Sequence, residues 1–201
     1  MDFFKIYTIF IFILLISAFL TPFFAFYGYK GIASFFYNAF ALTCHQYPYR
    51  SLALFPLDNS INNCITKEGL PVFTMYTKIF AKDYNGPFYF NRSEIGLIRA
   101  EICTKIKEET GDILIGYKFP VCARDLGIFM GMALTTLAFR RGGENKDEIR
   151  MAYIILLIIP LAIDGSGQFL GFWESTNDIR IITGLLFGAG ITLLFAKTLN
   201  W

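Results

Sequence analysis

From Ile6 to Tyr29 the chain carries no charged side chain, and the run is long enough to cross a bilayer as a helix. Hydrocarbon offers a backbone no hydrogen-bonding partner, so a segment that enters it must satisfy its own N–H and C=O groups, as a helix does. Three later stretches have the same character. Phe119 to Phe139 is apolar after Asp125, Met151 to Trp173 is interrupted by Asp164 alone, and Ile181 to Ala196 is uncharged but short. A composition that is 55% hydrophobic and 18% aromatic suits a membrane chain and would be unusual in a soluble domain. The competing reading of the first run is a secretory signal peptide. Against it, the run exceeds the usual apolar core of a signal and ends without an A-x-A-like cleavage site.

Lysine and arginine in short loops favour the cytoplasmic side. Lys5 precedes the first run, Arg140, Arg141, Lys146 and Arg150 fill the connector between the second and third, and Lys197 follows the fourth. Four spans with basic ends at those places predict a multi-pass protein of the cell membrane with both termini cytoplasmic. Residues 30–118 and the connector 173–180 then face outward. A net charge of +2 identifies no partner beyond the bilayer, and no basic tract interleaved with aromatics points to nucleic acid.

Within the outward segment, Gly31 to Thr43 is apolar but too short to cross, which predicts an interfacial or re-entrant helix. It leads into Cys44-His45-Gln46-Tyr47-Pro48-Tyr49-Arg50-Ser51, then into turn-rich sequence around Pro56, Asp58, Asn59, Asn62 and Asn63. Ser93 to Thr110 predicts a helix, with Ile95, Ile98, Ile102 and Ile106 on one face and Gly111 as its stop. One membrane domain over residues 1–201 is expected, with an extracytoplasmic insertion over 52–115. Asn91-Arg92-Ser93 inside that insertion matches a glycosylation acceptor, a pattern common by chance.

Gly127 and Gly131, Gly167 and Gly171, and Gly184 and Gly188 are each four apart, a spacing that lets helix backbones approach closely in lipid. A glycine-lined channel is the functional alternative. The four cysteines, Cys44, Cys64, Cys103 and Cys122, all fall in the outward segment or at its membrane junction, where disulfides can persist. Cys64 and Cys103 are expected to bridge within the insertion. Cys44 and Cys122 are open to three readings: a disulfide, metal ligands, or redox-active thiols. Metal binding would use Cys44, Cys122 and the only histidine, His45, with an acidic side chain or water as fourth ligand, a set that suits zinc. The bland reading of His45 is a hydrogen-bonded interfacial side chain. In an enzyme, either a metal-bound water or a Cys122 thiolate with His45 as base would attack.

Asp164 is the one charge inside its span, in the outer half of the bilayer by helix rise, where a carboxylate costs roughly 3 kcal/mol on insertion scales unless compensated. Arg124 and Arg180, at the starts of the second and fourth spans, are the available partners. A structural Asp–Arg tie is the alternative to a catalytic role. Gln168, one turn later, extends the same polar face, and Glu174, Ser175 and Asn177 lie in the connector just outside.

These motifs resemble an uncharacterised family of predicted prokaryotic integral membrane proteins, a domain of unknown function. The resemblance rests on Cys44-His45-Gln46 with Pro48, Arg50 and Ser51; on Pro120-Val121-Cys122-Ala123-Arg124 with Gly127-Ile128; and on Asp164 with Gln168, Glu174-Ser175, Asn177, Arg180 and Thr183-Gly184. It covers the three C-terminal spans and the loop before them. The family is often shorter between its two Cys motifs, so residues 52–115 resemble an insertion. Asp125 stands where many relatives carry another Cys, which argues against an all-sulfur metal site. Membrane location and little established chemistry are what the resemblance implies.

The expected fold is all-α integral membrane: four transmembrane helices, a short interfacial helix and an extracytoplasmic loop subdomain. The leading mechanism is a metal-assisted enzyme at the outer leaflet, with zinc on Cys44, His45 and Cys122 and with Asp164 as acid/base or fourth ligand. Arg124 and Arg180, with Gln168, Glu174, Ser175 and Asn177 around them, would hold a lipid or other anionic head group, a task suited to the planar guanidinium. A thiol-disulfide oxidoreductase using Cys44 and Cys122 lacks a Cys-x-x-Cys pair. A transporter lacks broken-helix repeats, and a non-enzymatic scaffold completes the alternatives.

Overall fold

The structure, a computed structural model, describes residues 3–42, 50–64, 102–106, 113–142 and 151–199. The chain divides into two compact units, one built from residues 1–17 and 123–201, the other from residues 18–122.

The first unit is helical. Its elements are the opening turns of α1 (Phe3–Phe26), then α3 (Ala123–Gly142), α4 (Met151–Phe169) and α5 (Asn177–Thr198). Among the described residues, α1, α4 and α5 are long and apolar enough to cross a membrane. Three of the four expected spans thus meet that length and composition among the described residues. The shortfall is α3, which begins at Ala123-Arg124-Asp125 and takes in Arg140 and Arg141, so its apolar stretch is shorter than the helix.

Helices α3 and α5 run parallel and meet backbone to backbone. A Cβ on Gly127 or Gly131 would collide with the carbonyl oxygen of Ile181 or Leu185, and one on Gly184 or Gly188 with that of Arg124 or Ile128. Lipid supplies no hydrophobic drive for association, so small residues that permit close packing take its place. Helix α4 runs antiparallel to α5: Ile154, Leu157 and Ile158 near its start lie against Gly190, and Gln168 near its end reaches Arg180. Ile155, Leu156, Ile159 and Ile163 of α4 are exposed, as expected of a face turned to lipid, while Asp164 and Gly167 are buried.

The third glycine pair does something else. A Cβ on Gly167 would run into the Trp173 ring, and Gly171, at φ 76°, ends α4 in a left-handed cap. Its N–H bonds Gln168 O at 3.2 Å while Phe172 N–H bonds Gly167 O at 2.9 Å, the paired bonds of a Schellman motif. The expected use of this pair in helix packing is thus overturned: the i, i+4 spacing is shared by a packing stripe and a helix end.

Polar side chains in these helices bond locally or across the bundle. Thr136 and Thr183 donate to the carbonyls of Met132 and Ile179, four residues earlier, at 2.7 and 2.8 Å. The Tyr7 hydroxyl meets Thr192 Oγ1 at 2.8 Å, and its ring lies edge-on to Phe195, which brings the start of α1 to the last turns of α5. Lys5, Arg140 and Lys197 thereby gather toward one end of the unit, opposite Arg124 and Arg180.

The second unit corrects the all-α expectation, because it contains a four-stranded antiparallel sheet. Strands β1 (Leu52–Phe55), β2 (Ser60–Asn63), β3 (Ile102–Ile106) and β4 (Ile113–Lys118) lie in the order β2-β1-β4-β3. Pro56–Asp58 form a 3₁₀ turn between β1 and β2, closed by Asn59 in the left-handed region at φ 46°. Ala53, Phe55 and Cys64 form a small core, and Gly116 faces the Phe55 ring so closely that a Cβ there would not fit. Residues 102–106, expected in a helix, form a strand instead. Ile102 and Ile106 are four apart, a spacing that satisfies both a helix and alternate strand positions, and the β-branched Ile102, Thr104 and Ile106 favour the strand. The remainder of the 93–110 expectation lies outside the described residues.

Helix α2 (Lys30–Phe40) occupies the expected short apolar segment, with Ala33, Tyr37 and Phe40 buried and Ile32 and Phe35 exposed. The Tyr37 hydroxyl donates to Lys118 O at 2.5 Å, and the fully buried Lys118 Nζ donates to Phe119 O at 3.0 Å. Sequence reasoning did not foresee this buried lysine.

Candidate functional site

Asp164 sits on the last full turns of α4 and is only 5% exposed. Arg124, on the first turn of α3, forms an ion pair through Nη2 to Asp164 Oδ2. The same oxygen accepts from Gln168 Nε2 at 2.8 Å, and Oδ1 lies 3.5 Å from the Trp173 indole Nε1. Gln168 continues the chain of bonds, because its Oε1 accepts from Arg180 Nη2 at 3.1 Å. Arg180 Nη1 donates in turn to Asn177 Oδ1 at 3.2 Å. The amide orientation of Gln168 follows from its neighbours: reversed, it would turn its oxygen to a carboxylate and its NH₂ to a guanidinium. Arg180 and Asn177 are buried, at 3% and 4% exposure.

Local sequence accounts for this placement. Thr176 caps α5 by accepting from Ile179 N–H at 3.4 Å, so the helix begins at Asn177. Asn177 and Arg180 therefore stand on its first turn, one face apart by a helical step, and not in a loop. The close α3–α5 contact brings the first turn of α3 alongside, with the Arg124 carbonyl against Gly184. Gly165 of α4 lies beside the Arg124 guanidinium, whose Nη1 is 3.9 Å from where a Cβ would be, an ordinary contact distance. The Schellman cap at Gly171 turns the chain back so that Trp173 closes over Gly167 and Asp164.

Of the expected site residues, Asp164, Arg124, Gln168, Arg180 and Asn177 come together. Ser175 is buried beside them in the connector and donates to Thr176 O at 3.2 Å, and Glu174 is half-buried next to it. Trp173, which is 46% exposed, was missed as a site residue, although its indole N–H is a donor just past the end of the helix that carries Asp164. Cys122 is half-buried just before α3 and carries a thiol. Cys44 and His45 lie outside the described residues, and with them the core of the expected zinc set.

Asp164 Oδ2 accepts from both Arg124 and Gln168, which the carboxylate thereby holds in place, while Oδ1 has the Trp173 indole at the long distance of 3.5 Å. Among the described residues, no three His, Cys, Asp or Glu side chains converge as a metal site. One donor of the cluster is left over: Arg124 Nε is buried and has no hydrogen-bond partner among the described residues. The Arg124 side chain as a whole keeps 22% of its surface exposed.

Residues 107–194 match a family described as predicted membrane protein (DUF2085), a stretch that takes in all of the Asp164 cluster. The chain is 36% identical over 93 residues to an uncharacterized protein of Methanothermobacter thermautotrophicus, covering 46% of this chain and 83% of that one. It is 26% identical over 188 residues to an uncharacterized protein of Methanocaldococcus jannaschii, covering 90% of this chain and 80% of the other. No solved structure matches.

Proposed function

Given that the chain belongs to the DUF2085 family of predicted membrane proteins, we propose that it is a multi-pass membrane protein whose Asp164 cluster binds an anionic group, foremost a lipid head group. The observation that carries this reading is the buried, unpartnered Nε of Arg124. A buried donor left unmade costs about 1–3 kcal/mol, and an oxyanion supplies the missing acceptor. Asp164 fixes Arg124 from one side, Gln168 links Asp164 to Arg180, and the exposed part of Arg124 is the way in. Asp164 is on this reading a positioning residue. The gathering of Lys5, Arg140 and Lys197 at the opposite end favours an outward orientation for the cluster by the bias of basic residues toward the cytoplasm.

Trp173 is a built-in reporter, since the chain has only two tryptophans. In a Trp201→Phe background reconstituted in nanodiscs, Trp173 emission should respond to phosphatidylglycerol more than to phosphatidylcholine, and Arg124→Gln should remove the difference. Inorganic phosphate in detergent separates recognition of the head group from recognition of free anion. Equal responses to both lipids, or a response unchanged in Arg124→Gln, would overturn the proposal.

A further inference from the structure

Cys64 is buried, at 1% exposure, and is disulfide-bonded. Its obvious partner by sequence is Cys103, since both fall in the 52–115 segment. The sheet forbids that pairing. Leu54 opposes Ile61 on one side and Tyr117 on the other, and Tyr117 opposes Ile102. Cys103 opposes Gly116, and the same alignment carried across the sheet sets it level with Phe55 and Ser60. Cys64 N–H bonds Ser51 O at 3.0 Å, so Cys64 continues the β2 ladder four residues beyond Ser60. Three strand intervals separate the two cysteines, about 14 Å at the usual spacing, with about 13 Å of offset along the strands. A disulfide requires Cα atoms about 4.4–6.8 Å apart. Both cysteines lie in one hydrogen-bonded sheet, whose two intervening strands hold them apart.

Cys122 keeps its thiol. With four cysteines in the chain, one remains. We infer that Cys64 is bonded to Cys44, a crosslink that ties the Cys44-His45-Gln46 motif to the end of β2. Its formation is a thiol-disulfide exchange with a disulfide-bearing oxidant. One thiolate attacks the oxidant to give a mixed disulfide, and the second displaces the oxidant as a dithiol, which carries off the two electrons and two protons. Such a bond persists on the oxidising side of a membrane. It also removes Cys44 from any zinc set and from any redox pair with Cys122, because a disulfide sulfur is neither a thiolate ligand nor a nucleophile. The anion-binding proposal does not depend on it.

Peptide mapping of the full-length protein, alkylated with N-ethylmaleimide in membranes without reduction, tests the pairing. Trypsin cuts after Lys30, Arg50 and Lys67, so the crosslink would join peptides 31–50 and 51–67, with Cys103 and Cys122 recovered alkylated. Cys44→Ser should expose Cys64 to alkylation while Cys103→Ser leaves the crosslinked pair intact. Recovery of Cys64 alkylated in the wild type, or joined to the peptide of Cys103 or Cys122, would overturn the inference without relying on any variant's folding.

Discussion

Gly184 on α5 lies directly against the backbone carbonyl of Arg124 on α3, so the residue that meets Asp164 through its side chain meets the opposite helix through its main chain. Substituting Gly184→Val should push the helices apart at the turn that carries the guanidinium. Overpacking of this kind costs about 1–3 kcal/mol. The loss should be read as a lower thermal midpoint in detergent, together with a changed Trp173 emission. Retained stability would contradict the backbone contact.

The Arg124–Asp164 pair should be energetically coupled. Breaking a buried pair by removing one partner costs about 3–5 kcal/mol, and the partial exposure of Arg124 places the loss at or below the lower end. Asp164→Asn and Arg124→Gln should each destabilise, and the double variant should lose less than the sum. Double-mutant-cycle analysis of unfolding is the measurement, with an interaction of about 0.5–3 kcal/mol expected. Strict additivity would show that the two residues do not support one another.

Two glycines of α4 should respond oppositely to alanine. At Gly167 a methyl group strikes the Trp173 ring, so Gly167→Ala should displace the indole from Asp164 and shift its fluorescence. At Gly165 the nearest atom is at ordinary contact distance, so Gly165→Ala should be neutral or stabilising by up to about 1 kcal/mol through helix propensity. Similar effects at both positions would contradict the placement of Trp173.

Tyr7→Phe removes a hydroxyl that meets Thr192 between α1 and α5. Hydrogen bonds between membrane helices contribute about 0.6 kcal/mol on average, so a small loss is expected. Thr192→Val should bring little further change when added to Tyr7→Phe, as long as the ring keeps its edge contact with Phe195. A full second loss in the double variant would mean that Thr192 acts through Gly188 O, to which it also donates at 3.1 Å.

The Asp164 cluster was legible because a charge within an apolar run needs a partner, and two arginines flanked the neighbouring runs. Three-dimensional register was not. Ile102 and Ile106 fit either a helix or a strand, and only pairing with β4 decides between them. Cys64 and Cys103 looked like partners because sequence separation says nothing about strand order. The buried Lys118 hides for a related reason: its neighbours in space, Tyr37 among them, are distant in the chain. Gln168 was read as one more polar group on a face, whereas its amide is the link between the two ends of the cluster.

The glycine contact between α3 and α5 also limits how this bundle can move. Side chains can change rotamer to let one helix slip past another, but a carbonyl seated against a bare Cα has no such slack. Helices α3 and α5 are in effect a single rigid piece over their first turns, and Arg124 and Arg180 keep a constant separation at the Cα level. Helix α4, which carries Asp164 and Gln168, meets Gly190 of α5 less closely, through the side chains of Leu157 and Ile158 and the carbonyl of Ile154, all 3.0 Å or more from where a Cβ would be. A rearrangement that opens the cluster is therefore expected to shift α4 sooner than it parts the two arginines.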